Sequence, residues 1–546
     1  MSKEYSFSVM PSVSISRSRF NRKSQHKMSM NLGEINCIYV DEILPGDTRS
    51  IDMASLVRMS TPIAPIMDNI YMDYYAFFVP NRIVWDHWKE FMGENNSGAG
   101  IPVSNYVIPY IADASSTSIQ TGSYLDQMGI PIGVSTLLAN NHISALPLRG
   151  LAKIYNRWFR NENVVAPLAV QTGDTNEVLV GEYVGGVPNF AAKTASVLKA
   201  AKLADYFTKA LPYAQKGGAV SIPLGTTAPI IFESTINQTA GYHVLGYTNS
   251  TTDKKVNLVT SSQAHEYGYN TGTKEVSNGS GGYLYADLTT ATAATINELR
   301  YAFQLQKFLE KDALYGTRYW EILAAHFGVT AADASLQEPE YLGGFRQQIN
   351  IDQVLSTAGY DDTTSQEVGK PGANSVTGGK SSLFTKSFVE HGHIFILAVA
   401  RHDQTYCQGI NRMWTRENRY DFYWPVFANL GAQEIKKREI YAQGSSADTQ
   451  IFGYQEAWAE YRYKPSISTG LLNPVASGSL DFWTLTNNFA AMPTLGQNFI
   501  EQGRDNLGRA LVTSTTGPDF ICDFYFQDIA VRPMPMYSIP GLIDHH

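Results

Sequence analysis

Charge is scarce in this chain. Only 17% of its 546 residues are Asp, Glu, Lys or Arg, against about 25% in an average protein. The 50 acidic and 42 basic residues leave a net charge of −8. That balance excludes a grip on nucleic acid spread over the whole surface and leaves room only for a local basic segment. Cysteine is nearly absent. Cys37, Cys407 and Cys522 are too few and too far apart for a disulfide scaffold, a zinc knuckle or a CxxC redox pair, so reduced thiols are expected. No run of 18 apolar residues exists, so no membrane span is expected. The stretch Met1-Ser-Lys-Glu-Tyr-Ser-Phe7 lacks the charged-then-apolar pattern of a signal peptide. A soluble protein made in a cytoplasm is the expectation. Also missing are a GxGxxG opening a helix, GxxxxGK[ST], HExxH, GxSxG and any repeat of fixed period.

The remaining chemistry is thin. Glu338, Glu340, Asp403 and Asp421 are carboxylates that no local pattern pairs. His391-Gly-His393 on a strand would put two imidazoles on one side, with His402 nearby, but no third ligand is specified. No catalytic residue, metal site or cofactor is assigned, and His545-His546 reads as an exposed tail.

Apolar material is ample. At 44% hydrophobic the chain can bury a core. Its length suggests three to four domains, a weak guide because large all-β chains often run as one. The 32 Tyr, 25 Phe and 8 Trp, with 44 Gly and 24 Pro, favour short strands joined by loops. Glu34 to Met53 reads as a β-hairpin around a type II turn at Leu44-Pro-Gly-Asp47, with Ile35, Cys37 and Tyr39 on one face and Asn36, Ile38 and Val40 on the other. Tyr71–Val79 and Ile394–Ala400 read as buried strands, and Phe520–Gln527 as a strand with one packed face. Helices are predicted over Arg82–Met92, Leu148–Arg160, about Thr317–Phe327, and after the capping box Thr295-Ile-Asn-Glu298.

Two stretches stand apart. Residues 1–33 are polar and hold Arg17, Arg19, Arg22, Lys23 and Lys27 with no acid between them. They read as a terminal arm, either simply solvated or touching phosphates. Five neutralised phosphates on a single strand imply a salt slope of about −0.7 × 5, and Phe20 can stack on a base. From about Thr226 to Thr292 the chain is dominated by Thr, Ser, Gly, Asn and Tyr and contains sequons at Asn237, Asn249 and Asn278. This reads as an exposed insertion with short strands, in the residue types that adaptable binding loops favour. Asp361–Ser382 is a second polar loop.

Several segments together resemble one family. They are Val40-Asp-Glu-Ile-Leu-Pro-Gly-Asp-Thr48, Thr61-Pro-Ile-Ala-Pro-Ile-Met-Asp-Asn69, Val79-Pro-Asn-Arg82 and Trp85-Asp-His-Trp-Lys-Glu-Phe-Met-Gly-Glu94. Further on come Tyr155-Asn-Arg-Trp-Phe-Arg-Asn-Glu162, Asp205-Tyr-Phe-Thr-Lys-Ala-Leu-Pro212, Gly316-Thr-Arg-Tyr319, His326-Phe-Gly-Val329 and Pro339-Glu-Tyr-Leu-Gly-Gly344. In number and order they are similar to the major capsid proteins of the gokushovirus branch of the microviruses, small icosahedral single-stranded DNA phages. The resemblance spans about residue 17 to the end.

It implies a mainly β fold, an eight-stranded antiparallel viral jelly roll with long insertions containing several helices and loops. It also implies a non-enzymatic protein of the virion, assembled in the bacterial host cytoplasm as a T=1 shell of sixty copies. The implied partners are further copies of the chain, single-stranded DNA, other virion proteins and a receptor on the host surface. Residues 1–33 become an interior-facing basic arm, with Arg17, Arg19, Arg22, Lys23 and Lys27 on DNA. Residues 34–225 and 293–546 form the capsid domain. Residues 226–292 occupy the place of a threefold protrusion, a correspondence of region and not of residues; within it Tyr242, Tyr247, Tyr267, Tyr269 and Tyr283 are the candidate host contacts. The competing class is a β-sandwich that binds or cleaves carbohydrate, marked by a carboxylate pair in an aromatic cleft and a monomeric state.

Overall fold

The computed structural model describes residues 15–94, 106–112, 119–134, 137–178, 183–184, 187–188, 197–218, 220, 230–232, 244–248, 255–260, 263–267, 284–286, 295–357, 368–369, 371–512 and 517–538. The chain divides into a unit of residues 1–214 and 311–546 and a second unit of residues 215–310.

Eight long strands organise the first unit: β1 (Ser18–Met30), β2 (Ile35–Ile43), β3 (Thr48–Met59), β4 (Ile70–Pro80), β5 (Glu340–Gln348), β6 (Val376–Ser387), β7 (Gly392–His402) and β8 (Phe520–Arg532). They form two four-stranded sheets, ordered β1–β8–β3–β6 and β5–β4–β7–β2. Every pairing within them is antiparallel. Apart from β4 and β5, consecutive strands lie in different sheets. The alternating side chains of both sheets meet in one core, where Met53, Phe520, Phe524 and Phe526 face Met72, Tyr74, Ile394 and Ile396.

The two sheets differ on their other faces. The second is covered again: Ile35, Cys37, Phe77, Val79, Phe395, Leu397 and Val399 pack under α1 (Leu146–Ile154) and the short helical turns beside it. Burial on both faces explains the unbroken apolar run of β7. Among the described residues no such cover lies on the outer face of the first sheet.

The hairpin predicted over 34–53 is corrected. The turn itself holds, with Gly46 at φ +88° and the Asp47 N–H donating to the Leu44 carbonyl. Yet β2 and β3 belong to different sheets, so the turn is a corner between layers. The predicted face assignment also fails after Ile38. A register shift there brings Tyr39 onto the inter-sheet core beside Ile38 and sends Val40 to the helix-covered side, as a bulge does. Arg82–Met92 is two short helical turns, Asn81–Val84 and Trp88–Phe91, split by the extended Trp85. The helix predicted from Leu148 begins at Leu146 and ends in a π turn, Tyr155–Phe159.

The Thr295 capping box is formed, its hydroxyl accepting from the Glu298 N–H at 3.2 Å, and it opens α2 (Ile296–Tyr315). Gly316 (φ +110°) follows α2, and α3 (Tyr319–Phe327) stops at Gly328 (φ +68°). In the second unit, Val244–Thr248, Lys255–Thr260 and Gln263–Tyr267 form an antiparallel three-stranded meander.

Candidate nucleic-acid and assembly surfaces

The basic segment is not a solvated arm: from Ser18 it is β1, an edge strand paired with β8 along its whole length. The sequence hides this because the inward positions (Phe20, Arg22, Ser24, His26, Met28, Met30) become clearly apolar only at the two ends. Strand alternation then sorts the five cations. Arg19, Lys23 and Lys27 point out of the sheet and are exposed. Arg17, also exposed, lies just ahead of the strand, with its guanidinium near the turn at Gly46. Arg22 points inward.

Arg22 is committed to an ion cluster between the sheets. Its guanidinium donates to both carboxylate oxygens of Asp41, at 2.5 and 3.0 Å. Fully buried Arg49 donates to Asp41 at 2.6 Å and, through Nε, to Asp528 at 2.9 Å. The Tyr39 hydroxyl donates to Asp528 at 3.1 Å. Burial works against ionisation of Asp41, but the Arg22 hydrogen bond and the Arg49 charge outweigh it and hold its carboxyl below the usual range. A second cluster binds the other sheet, where Asp73 accepts from Arg346 and Arg401.

The register extends the outward face of β1 across the sheet. Lys27 lies opposite Asp523 and then Leu56, Gln25 opposite Tyr525, Ala54 and Lys380, and Lys23 opposite Gln527 and Asp52. The face therefore presents Arg19, Lys23, Lys27, Arg58 and Lys380 against Asp52 and Asp523. It is basic on a chain of net charge −8. Phe20, expected to stack on a base, is on the inward side. Tyr525 is the aromatic at the middle of the outward face, and its signal was the strict alternation of β8.

A second surface is apolar. The segment after β7 runs through single turns at Arg412–Thr415, Arg419–Asp421 and Pro425–Phe427. Met413, Trp414, Tyr420, Phe422, Tyr423, Trp424 and Val426 are all exposed on it, Trp414 by 74% and Val426 by 82%. The segment is nonetheless pinned. Arg412 donates to the Glu434 carbonyl at 2.6 Å, Arg416 to Glu460 at 3.2 Å, and the Trp458 indole to the Phe427 carbonyl at 2.9 Å. The Arg416 guanidinium lies over the rings of both Phe422 and Tyr461. Exposed apolar patches of this kind mark association surfaces.

The remaining candidate residues fall apart. His391 precedes β7, and burial pushes His393 and His402 down to about 4, so both are neutral. Among the described residues no group of three or more His, Cys, Asp or Glu is placed to hold a metal ion. The buried thiols Cys37 and Cys522 are unpaired and pushed up to about 12. Tyr247 and Tyr267 lie on the meander strands. Their side chains, and Tyr242, Tyr269 and Tyr283 altogether, lie outside the described residues.

The chain is a mainly β protein of two antiparallel sheets, with a basic sheet face and an exposed apolar segment. The chain belongs to the capsid protein (F protein) family, which it matches over residues 8–542. It is 40% identical to capsid protein VP1 of Bdellovibrio phage phiMH2K, covering 98% of both chains. It is 36% identical to capsid protein VP1 of Chlamydia phage 1 and 34% identical to that of Spiroplasma virus 4, covering 98% of this chain and 97% of each relative. Its role is structural, in the virion, and it is not an enzyme. The carbohydrate-cleaving alternative gains no support.

Proposed function

We propose that sixty copies of this chain close into a T=1 shell around single-stranded DNA, with the outer face of the β1–β8–β3–β6 sheet turned inward. The observation that carries this reading is the excess of basic residues on the outer face of that sheet. Arg17, Arg19, Lys23 and Lys27 run along about 33 Å of strand and neutralise phosphates, while Tyr525 offers a stacking platform. The strand order and the switching between sheets support an eight-stranded jelly roll. The exposed aromatic segment at 413–426 supports contacts between copies.

The insertion 226–292 is the part we assign to the host surface, with Tyr242, Tyr247, Tyr267, Tyr269 and Tyr283 as contacts. The test is particle formation by the purified chain, followed by light scattering and negative-stain microscopy, with nuclease-protected DNA measured per particle. Uniform isometric particles are expected. Replacing Lys23 and Lys27 with Ala should lower DNA content and leave empty shells intact. Full DNA content in that variant would refute the inward placement of this face. Deleting 235–285 should leave particles that no longer attach to host cells.

A further inference from the structure

One cavity outside these surfaces has an unusual lining. It has a volume of about 500 Å³ and is bounded by the end of α1, the π turn after it and the start of α3. Four cations, Lys153, Arg157, Arg160 and Arg318, line it together with Tyr319 and Trp320; Glu338 is its one acid. Two of the cations are spoken for. Arg157 pairs with Asp333 at 2.8 Å and stacks on Trp320, and Arg318 is held by Glu162 and Glu321. The other two are not. Among the described residues no carboxylate lies within ion-pair distance of Lys153 or Arg160, although Arg160 donates to the Val165 carbonyl at 2.7 Å.

Residues of the lining also carry unmet donors. The Nε–H of Arg160, the Nε–H of Arg318 and the indole N–H of Trp320 are all buried without an acceptor. These three atoms are closed off from solvent and so do not face the cavity; what the cavity presents is charge, four cations against Glu338. Burial and the adjacent Arg318 charge work against the charge on Arg160, with Glu162 offsetting part of it, and burial works against that on Lys153, with Glu338 and Asp86 offsetting part of it. An anion in the cavity offsets this crowded positive charge and accepts from Lys153 and Arg160.

We propose that this cavity binds a phosphate monoester, with Lys153 and Arg160 on the phosphate oxygens and the ring of the ligand against Trp320 and Tyr319. The volume suits a ligand of nucleotide or sugar-phosphate size. The site lies on the helix-bearing side of the molecule, away from the basic sheet face, and does not depend on that face's role.

The test is titration calorimetry on the full-length chain, at constant ionic strength, with inorganic phosphate, deoxyadenosine monophosphate and glucose 6-phosphate. Saturable binding of one ligand per chain is expected, weakened at least tenfold in both Lys153→Met and Arg160→Gln. Lys153→Met guards against misfolding, since Lys153 makes no ion pair whose loss would unfold the site. A preference for the nucleotide assigns the ring stacking to a base, and a preference for the sugar phosphate assigns it to a sugar; both support the site. If none of the three binds saturably, or binding survives both substitutions in folded protein, the proposal is overturned.

Discussion

At the scale of single residues, the five cations of the N-terminal segment separate into two kinds. Arg22 is structural. Arg22→Ala removes one of the guanidinium groups on Asp41 but leaves Arg49 in place. Because the Arg22 side chain is 40% exposed, the expected loss is only about 1 kcal/mol, read as a lower urea midpoint. Arg49→Met strands the buried Asp528 carboxylate and should cost about 3–5 kcal/mol. Lys23→Ala and Lys27→Ala should leave stability unchanged and each lower the salt slope of oligonucleotide binding by about 0.7. An unchanged slope would place the DNA elsewhere. Acid has its own signature at His402, which is fully buried and pushed down to about 4. The unfolded histidine, with its ordinary value near 6.5, takes its proton first as pH falls. Stability is therefore complete above about pH 6.5 and declines toward pH 4, by up to about 3 kcal/mol. Asp41 and Asp73, both held below the usual carboxylate range, extend the loss below pH 3.8. Urea midpoints at pH 7, 5.5 and 4.5 check this; His402→Gln should remove its share of the slope in that window, and His393, also pushed down to about 4, should supply the rest.

At the scale of elements, what could be read from the sequence depended on how each strand is buried. β4, β7 and β8 were legible because their burial is simple: both faces for β4 and β7, one face for β8. β1 was not, because its inward face carries Arg22, Ser24 and His26 through the middle of the strand, which removes the contrast that alternation relies on. The corner at Leu44–Asp47 was recognised as a turn, but a turn residue pattern does not say whether the strands it joins pair with each other or stack across a core. The flip at Ile38 was invisible for the same reason, since only the partner strand reveals the extra residue. Of the candidate surface, the cations were legible and their division was not, because facing depends on register. The core offers a direct check. Phe524 is fully buried between the sheets and meets Tyr74 edge-on at 6.0 Å, so Phe524→Ala should cost about 3–5 kcal/mol in urea unfolding. A loss under 1 kcal/mol would mean that the two sheets do not pack as described.

At the scale of the whole molecule, the aromatic excess that first suggested a β fold is not all core. Five aromatics, Trp414, Tyr420, Phe422, Tyr423 and Trp424, lie exposed between Met413 and Val426, on a segment fixed in place by Arg412, Arg416 and Trp458. A rigid apolar surface loses little side-chain freedom when it is covered, which favours association. The pairing Trp414→Ser with Val426→Ser alters two of its most exposed side chains and no hydrogen bond made by either side chain. The isolated chain should keep its melting temperature within about 2 °C, because exposed apolar groups contribute little to folding. Assembly should respond far more. A buried interface tryptophan is commonly worth about 2 kcal/mol or more, and each 1.4 kcal/mol is about tenfold in affinity. The concentration at which particles form should therefore rise at least tenfold, with light scattering showing free subunits where the unaltered chain gives shells. Trp414→Phe should recover much of the loss, since it restores an apolar ring. If the double variant forms particles at the original concentration, this surface is not a contact between copies, and the assembly contacts must be sought on α3, where Tyr319 and Phe327 are also exposed.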